Sequence, residues 1–462
     1  MTVRDSSTPL GMTNLDAPRP RRQLGLFDAI MIVMGGIVGA GIFANPSEVA
    51  HRVHTPFLIL GVWVLGGCIA MCGAFIWAEL ATRLPAAAGG QYVYLREAYH
   101  PAVAFMYGWG LLLVTQTGGM AAVAVIFASY FRVLTGAEWN ESAIAAIALL
   151  ALTGINCLGA RAGSNVQSAL MLLKIGAIAA LVTFGLAVGH NSLKSEALLG
   201  GPASFGVLKS IGAAMVPVAF AYGGWQTATF VACEMRDGRR DLSRGLLIGV
   251  GGVVALYLAV NLACLLVLGS AGLDATTTPA SDVMRIALGE RGAQWIAIAI
   301  SISTLGFLSQ GMLTAPRVYY AMARDGLFFR SVGKLSRRSG APVVAIVLQG
   351  LAAIVIACSG TYGQILNFEV TVDFIFFAIT AAALFVLRRR QIGSDTAVYR
   401  TPGHPFTTTL FVLACAGIVG SAIIAAPANS AIALCIMLAA LPIYYYWSRF
   451  KRAQSKFRRA QL

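Results

Sequence analysis

Twelve apolar runs, each close to the length that a helix needs to cross a bilayer, divide this sequence. A membrane-spanning helix takes roughly 20 apolar residues. The composition agrees, because a chain with 58% hydrophobic and only 11% charged residues is too apolar for a water-soluble globule. The sequence therefore predicts an all-α integral membrane protein with twelve transmembrane helices, over residues 26–50, 56–83, 100–131, 142–158, 164–189, 205–233, 243–270, 292–323, 342–359, 362–387, 406–427 and 429–448.

Positive charges lie mainly on one side of these predicted spans. If the N-terminus is cytoplasmic, 27 of the 34 lysines and arginines fall in cytoplasmic segments, six fall in outer segments, and Lys174 lies within a span. The positive-inside rule then predicts that both termini are cytoplasmic. The net charge of +15 therefore indicates orientation in a lipid bilayer, which we expect to be a bacterial inner (plasma) membrane, and not binding to nucleic acid.

The first span contains four glycines within seven residues, in the run MIVMGGIVGAGIFANP. Small residues let helices pack closely in membranes, and this explanation stays open for Gly35 and Gly36. The segment Gly39-Ala40-Gly41, followed by IFANP, predicts a break in the helix instead.

Span six contains a second interrupted segment, VPVAFAYGGWQTATF, in which Pro217, Gly223 and Gly224 disturb an apolar run. Interrupted spans in matching places of two halves point to a transporter site. Because five spans separate the two, a second five-span unit would be inverted relative to the first. The expected parts are a cytoplasmic tail (1–23), a first repeat with helices 1–5 (24–200), a second repeat with helices 6–10 (201–390), helices 11 and 12 (391–450) and a basic cytoplasmic tail (451–462).

A broken helix exposes backbone N–H and C=O groups inside the membrane. Such groups are tolerated only where the backbone is buried in protein or faces a water-filled cavity. N–H groups at the start of a half-helix attract a carboxylate, and carbonyl groups at the end of a half-helix attract an ammonium group. One break of each kind, facing each other, would hold the backbone of an amino acid.

Five motifs in order along the chain resemble those of one transporter group, the amino acid-polyamine-organocation superfamily. The closest resemblance is to bacterial relatives of the L-type and cationic amino acid transporters. The resemblance implies a five-plus-five inverted repeat of the LeuT type, with broken helices 1 and 6 followed by helices 11 and 12. The motifs are GGIVGAGIF, ELATRLPAAAGGQYVYL, FAYGGWQ, EMRD with RDLSRGLLIG, and PRVYYAMARDGLFF.

The resemblance also implies a substrate cavity at the membrane midplane, between the two breaks. Amides at the first break would bind the carboxylate of the substrate, carbonyls at the second would bind its amino group, and Phe220 would close over it as a gate. Many relatives have serine or threonine where this chain has Ala40, so only backbone donors remain for the carboxylate. The implied substrate-binding residues are Ile37, Gly39, Ala40, Gly41, Phe220, Ala221 and Gly223.

Lys174 lies deep inside the predicted fifth span. Thirteen residues, or roughly 20 Å of helix, separate it from the basic loop residue Arg161. An ionisable residue at this depth suggests a function. The resemblance implies that Lys174 replaces the cation of sodium-coupled relatives and braces span five against carbonyls around Ile37 and Val38. A part in proton coupling stays open.

Asp373 lies inside the predicted tenth span, roughly 22 Å of helix from Arg388. It could be a proton-linked carboxylate, a hydrogen-bond partner between helices, or the acceptor for a cationic substrate side chain. Glu369, one turn further out, is expected to meet water. Arg317 is expected to be a charge on the inner surface.

These features together predict a sodium-independent secondary transporter of amino acids that works by alternating access, as a proton symporter or an exchanger. Neutral amino acids are expected, over a range that could be broad, because neither the broken segments nor span three contains a carboxylate. The alternatives are a transporter or antiporter of cationic amino acids or polyamines, and a non-transporting amino acid sensor of the same fold.

We expect no enzyme activity, catalytic residue, cofactor or metal, because the sequence contains neither HExxH nor GxxxxGK[ST]. Eukaryotic L-type members bond a glycoprotein partner through a cysteine in the outer loop after span three. The corresponding loop here, GAEWNES, has none, so we expect no disulfide-linked heavy subunit. The expected partners are the amino acid substrate, the lipid bilayer and, in a symporter, protons.

Overall fold

Helices account for most of the chain. The structure, a computed structural model, describes residues 21–85, 88–136, 138–189, 205–359, 362–395 and 397–449. The only β-type pairing in these ranges is an isolated bridge between Leu24 and Met235. The expected tails over residues 1–20 and 451–462, and the expected boundary between residues 200 and 201, lie outside the described residues.

The helices follow the predicted spans in order. A π-helical turn, Leu111–Thr115, joins α5 to α6, and a 3₁₀ helix, Trp225–Glu234, follows α9. The α-helices are α1 (Leu26–Ile37), α2 (Gly41–Val53), α3 (Pro56–Arg83), α4 (Gln91–Ala98), α5 (Pro101–Gly110), α6 (Gln116–Thr135), α7 (Glu141–Cys157), α8 (Ala160–Val188), α9 (Phe205–Tyr222), α10 (Asp241–Ala275), α11 (Pro279–Leu288), α12 (Glu290–Thr314), α13 (Pro316–Arg324), α14 (Val343–Ser359), α15 (Tyr362–Arg389), α16 (Phe406–Ala425) and α17 (Pro427–Leu438).

The described residues form nine helices that are long and apolar enough to cross a membrane. A tenth span arises if α1 and α2 are taken together as one helix bent by 42°. The helices α7 and α14, at the predicted fourth and ninth spans, have 17 residues each, roughly 25 Å against a hydrocarbon core of about 30 Å. The protein is therefore an all-helical, multi-pass membrane protein.

Span six is interrupted by its glycines and not by its proline. The helix α9 continues through Pro217 and ends at Tyr222, and Gly223 and Gly224 separate it from the 3₁₀ helix. The expectation that Pro217 takes part in the interruption was wrong. Proline removes the N–H that would bind the carbonyl four residues earlier, and a membrane helix tolerates this where surrounding groups satisfy the backbone. Beside this site, the amide nitrogen Nδ2 of Asn45 donates a 2.8 Å hydrogen bond to the carbonyl oxygen of Pro217 itself.

Small residues bring α1 against α10, which places the first break inside the bundle. A Cβ atom added at Gly245 would lie 2.6 Å from Cβ of Ala29, and one at Gly249 would lie 2.7 Å from Cγ1 of Val33. Glycines four residues apart let two membrane helices approach this closely. The N-terminal half of span one, α1, also packs against the 3₁₀ helix, and the C-terminal half, α2, packs against α9.

Candidate functional site

The first break separates α1 from α2. α1 ends at Ile37, and Val38, Gly39 and Ala40 connect it to α2, which begins at Gly41. Within the described ranges, no acceptor takes a hydrogen bond from the N–H groups of Gly39, Ala40 or Gly41. The first N–H groups of a helix have no partner inside it. They lie at the positive end of the helix dipole, where an anion such as a carboxylate can bind.

The second break contacts the first through the backbone. Gly224 has φ of 105°, in the left-handed region that favours glycine. A Cβ atom at Gly224 would lie 2.1 Å from the carbonyl oxygen of Gly36, and one at Gly36 would lie 2.7 Å from the carbonyl oxygen of Gly224. Gly35 likewise leaves room for the side chain of Gln167. Close packing is therefore the explanation for Gly35 and Gly36.

Phe220 belongs to α9, and its side chain lies next to the first break. A Cβ atom added at Gly41 would lie 3.6 Å from Cε1 of Phe220, and the Phe220 side chain is half-buried. The backbone carbonyl of Phe220 accepts a 3.2 Å hydrogen bond from the N–H of Gly223. The ring is thus next to the first turn of α2, where N–H groups lack acceptors.

Tyr257 of α10 joins the two broken spans. Its hydroxyl group contacts the carbonyl oxygen of Ile37 at 3.1 Å and that of Ala221 at 3.2 Å, and its side chain is fully buried. One O–H donor therefore serves a carbonyl from each broken span. Tyr257 is not predicted as a site residue from the sequence, where the only signal is a tyrosine in the middle of an apolar run, VVALYLAV.

Two further side chains donate hydrogen bonds to carbonyls of the first break. The ammonium group of Lys174 on α8 lies 2.6 Å from the carbonyl oxygen of Val38. The hydroxyl of Ser303 on α12 lies 3.1 Å from the carbonyl oxygen of Gly39, a contact that the sequence analysis also missed. Lys174 has no exposed surface. It approaches Gly306 so closely that a Cβ atom added there would lie 2.5 Å from its Cε atom.

The acidic pair on α15 lies beside α5 and α6. Asp373 is next to Thr115 in the π-helical turn and faces Tyr107. No hydrogen bond or ion pair among the described residues joins Asp373 to either break. The expectation that Glu369 meets water was wrong for its Oε2 atom, which is buried without a hydrogen-bond partner. A Cβ atom at Gly119 would lie 3.0 Å from this oxygen.

Ion pairs join the helix ends on the side predicted to be cytoplasmic. Nε of Arg317 on α13 lies 2.7 Å from Oε1 of Glu234, at the end of the 3₁₀ helix. The expectation that Arg317 is a surface charge was wrong, because its side chain is only 2% exposed. Asp28 of α1 binds both Arg161, at 3.0 Å, and Ser164, at 2.8 Å. These contacts connect the N-terminal half of span one and the end of span six to neighbouring spans.

Gln23 and Leu24, which precede α1, form backbone hydrogen bonds with the end of the 3₁₀ helix. The N–H groups of Gln23 and Leu24 donate hydrogen bonds of 2.9 and 3.1 Å to the carbonyl oxygen of Glu234. The N–H of Arg236 donates in return to the carbonyl oxygen of Leu24, at 2.8 Å.

In the described part of the chain, no group of three or more histidine, cysteine, aspartate or glutamate side chains could hold a metal ion.

Sequence comparisons identify relatives along nearly the whole chain. The sequence model for the amino acid permease family matches residues 24–441. The serine/threonine exchanger SteT of Bacillus subtilis (strain 168) is 29% identical over 440 residues, which are 92% of this chain and 96% of that protein. The human b(0,+)-type amino acid transporter 1 is 28% identical over 380 residues, 80% of this chain and 76% of that protein.

A third relative extends the match towards the C-terminus. The human large neutral amino acids transporter small subunit 2 is 26% identical over 455 residues, 95% of this chain and 83% of that protein. All three relatives are named as transporters or exchangers, which indicates a transporter and not an enzyme. With the family match covering most of its length, this chain belongs to the amino acid permease family of the amino acid-polyamine-organocation superfamily.

Proposed function

We propose that this protein is a sodium-independent secondary transporter that moves amino acids across a bacterial inner membrane by alternating access. In this proposal, α7 and α14 complete a set of twelve spans. The spans form a five-plus-five inverted repeat over residues 24–200 and 201–390, with helices 11 and 12 outside it. Both termini are cytoplasmic, in keeping with the charge distribution.

The observation that carries this proposal is the contact between the two breaks. Amides at Gly39, Ala40 and Gly41 have no acceptor among the described residues, so they are suited to the carboxylate of a substrate. The carbonyls of Phe220, Ala221 and Gly223 would bind its amino group. Those of Phe220 and Ala221 already accept hydrogen bonds from Gly223 and Tyr257, and each keeps a second lone pair for the substrate. Phe220 would then close over the bound molecule as the gate.

Independence from sodium is supported by the donors that already occupy carbonyls at the breaks. A carbonyl that lacks a donor in this environment attracts a cation or an N–H or O–H group. Here the ammonium group of Lys174 contacts Val38, and the hydroxyl of Tyr257 contacts Ile37 and Ala221. At the carbonyls of Ile37 and Val38, a protein hydroxyl and a protein ammonium group thus take positions where a cation would otherwise bind.

Neutral substrates are favoured because no carboxylate side chain lies in either broken segment. A dry cavity would need an acidic partner for the distal charge of arginine or lysine. Asp373 is the residue that could supply one, and a cationic amino acid or polyamine transporter is therefore the alternative. The names of the relatives, a serine/threonine exchanger and a large neutral amino acids transporter, favour neutral substrates and exchange.

Uptake of radiolabelled amino acids into sodium-free proteoliposomes tests the proposal. The panel contains serine, threonine, leucine, arginine and a polyamine, each with and without an inward proton gradient and with and without internal amino acid. Uptake that requires internal amino acid identifies an exchanger, and uptake driven by the gradient into empty vesicles identifies a proton symporter. Strict dependence on added sodium would contradict the proposal.

A matched pair of variants links the activity to the breaks. Phe220→Ala removes the proposed gate, whereas Phe57→Ala removes a phenylalanine on α3 whose side chain is 55% exposed. We expect the first variant to lose most uptake and the second to retain it. If the protein is folded but takes up no compound in the panel, amino acid transport is excluded, and the non-transporting sensor is the alternative that is left.

A further inference from the structure

A cavity of about 640 Å³ lies at the ends of α3, the 3₁₀ helix and α10, on the side predicted to be cytoplasmic. Four arginines line it: Arg22, Arg236, Arg239 and Arg240. Within the described residues, no ion pair joins any of these four guanidinium groups to a carboxylate. Among the described residues, the cavity therefore concentrates positive charge that no ion pair neutralises.

Three other arginines on this side of the bundle form ion pairs. Arg83 and Arg388 both bind the carboxylate of Glu79, at 2.9 and 2.6 Å. Arg317 binds Glu234 at 2.7 Å. Arginines that hold helix ends together thus have acidic partners, and the four arginines of the cavity do not share that structural task.

The one carboxylate on the cavity wall, Asp237, is engaged by its own loop. Its Oδ1 atom accepts hydrogen bonds from the backbone N–H groups of Arg239, at 3.1 Å, and Arg240, at 3.2 Å. These bonds fix the loop and use one of the two carboxylate oxygens. Four positive side chains against one negative side chain leave the wall strongly basic.

Backbone contacts hold the wall in place. The N–H of Arg236 donates a 2.8 Å hydrogen bond to the carbonyl oxygen of Leu24. A Cβ atom added at Gly238 would lie 3.1 Å from the carbonyl oxygen of Pro85, so the loop lies directly against the end of α3. A wall fixed before binding loses less conformational entropy when a ligand arrives.

The rest of the lining is apolar and reaches the surface. Met235 and Ala232 are buried in it, and Val398 at its edge is 58% exposed. Arginine is the side chain best suited to phosphate, because its planar group donates two parallel hydrogen bonds. Basic pockets between spans at the cytoplasmic face suit anionic lipid head groups. We propose that this cavity binds a phosphate ester, supplied by the head group of an anionic phospholipid.

Thermal unfolding of the purified full-length protein in non-ionic detergent tests this proposal. The midpoint is followed against short-chain phosphatidylglycerol, with phosphatidylcholine of the same chain length as the neutral comparison and glycerol 3-phosphate as the soluble one. A ligand that binds the folded protein raises the midpoint. We expect saturable stabilisation by phosphatidylglycerol and none by phosphatidylcholine.

Two double variants locate the effect. Arg236→Gln with Arg239→Gln removes two arginines of the cavity, and we expect the apparent affinity for phosphatidylglycerol to fall about tenfold or more. Arg337→Gln with Arg338→Gln removes the same charge from two exposed positions after α13, and we expect no change. The proposal would be overturned if both double variants lost affinity for phosphatidylglycerol equally. It would also be overturned if no phosphate ester stabilised the protein saturably. Stabilisation by glycerol 3-phosphate with the same sensitivity would support the site and assign it a soluble ligand.

Discussion

The ammonium group of Lys174 lies 2.6 Å from the carbonyl oxygen of Val38, and both residues are fully buried. Val38 directly follows the N-terminal half-helix α1, so its carbonyl is at the position where the hydrogen-bond pattern of span one is interrupted. A backbone carbonyl inside a membrane protein needs a donor. The contact therefore joins α8 to the broken stretch of span one.

Replacing Lys174 tests the importance of this contact. Lys174→Met keeps much of the side-chain length but removes the donor. A buried acceptor that loses its partner costs about 1–3 kcal/mol, so we expect initial uptake to fall about tenfold or more. Lys209→Met, at an exposed position on α9, is the control. Uptake by Lys174→Met equal to that of the unaltered protein would show that the contact is dispensable.

A substitution of Tyr257 tests the hydrogen bonds at both breaks at once, because its hydroxyl contacts a carbonyl in each broken span. Tyr257→Phe removes the hydroxyl that contacts the carbonyl oxygens of Ile37 and Ala221. Since each hydrogen bond contributes about 0.5–1.5 kcal/mol net, we expect KM for the amino acid to rise about threefold to tenfold. The control is Tyr222→Phe, because the Tyr222 hydroxyl contacts the carbonyl oxygen of Trp63 instead. Equal KM values for the two variants would contradict a special part for Tyr257.

The breaks could be predicted from sequence because they depend on local chemistry. Gly39 and Gly41 within an apolar run are poor for a continuous helix, and Gly223 with Gly224 interrupts span six in the same way. Pro217 belongs to the same local pattern but lies inside the continuous helix α9. A local signal therefore predicts where a helix is weak, but it does not by itself decide whether the helix breaks.

The contacts that hold the site together could not be predicted, because they join residues far apart in the chain. Tyr257 is 220 residues from Ile37, and a tyrosine in an apolar run looks like a packing residue. Arg317 was predicted at the surface because its motif follows a span, but Glu234 binds it in a buried pair. The burial of the Glu369 Oε2 atom depends in the same way on Gly119 of another helix.

The backbone contact between the broken spans gives a steric prediction. Gly224→Ala would force a side chain into the left-handed region, which costs about 1–3 kcal/mol, and would place Cβ 2.1 Å from the carbonyl oxygen of Gly36. We expect a lower melting temperature and no measurable uptake. Gly61→Ala on α3, where an added Cβ meets nothing within 4 Å, should be neutral or slightly stabilising. Normal uptake by Gly224→Ala would mean that the two breaks can separate without loss of function.

Variants of the Glu234–Arg317 pair distinguish a role in stability from a role in holding these helix ends together, on the side predicted to be cytoplasmic. Arg317→Ala leaves a buried carboxylate without its partner, which costs about 3–5 kcal/mol, so we expect a marked fall in melting temperature. Adding Glu234→Ala removes that unpaired charge, and stability should largely recover in the double variant. Arg324→Ala, at the exposed end of α13, should leave the melting temperature unchanged.

Labelling of the neighbouring thiol Cys233, located by mass spectrometry, reports on closure in the same variants. If the pair holds these helix ends together, labelling by a membrane-permeant maleimide should rise several-fold in both the single and the double variant, because both lack the pair. If the double variant regains its melting temperature but Cys233 is still labelled faster than in the unaltered protein, the pair holds the helix ends closed. Labelling that returns to the original rate in the double variant would assign it to stability alone, since the helix ends would stay together without it.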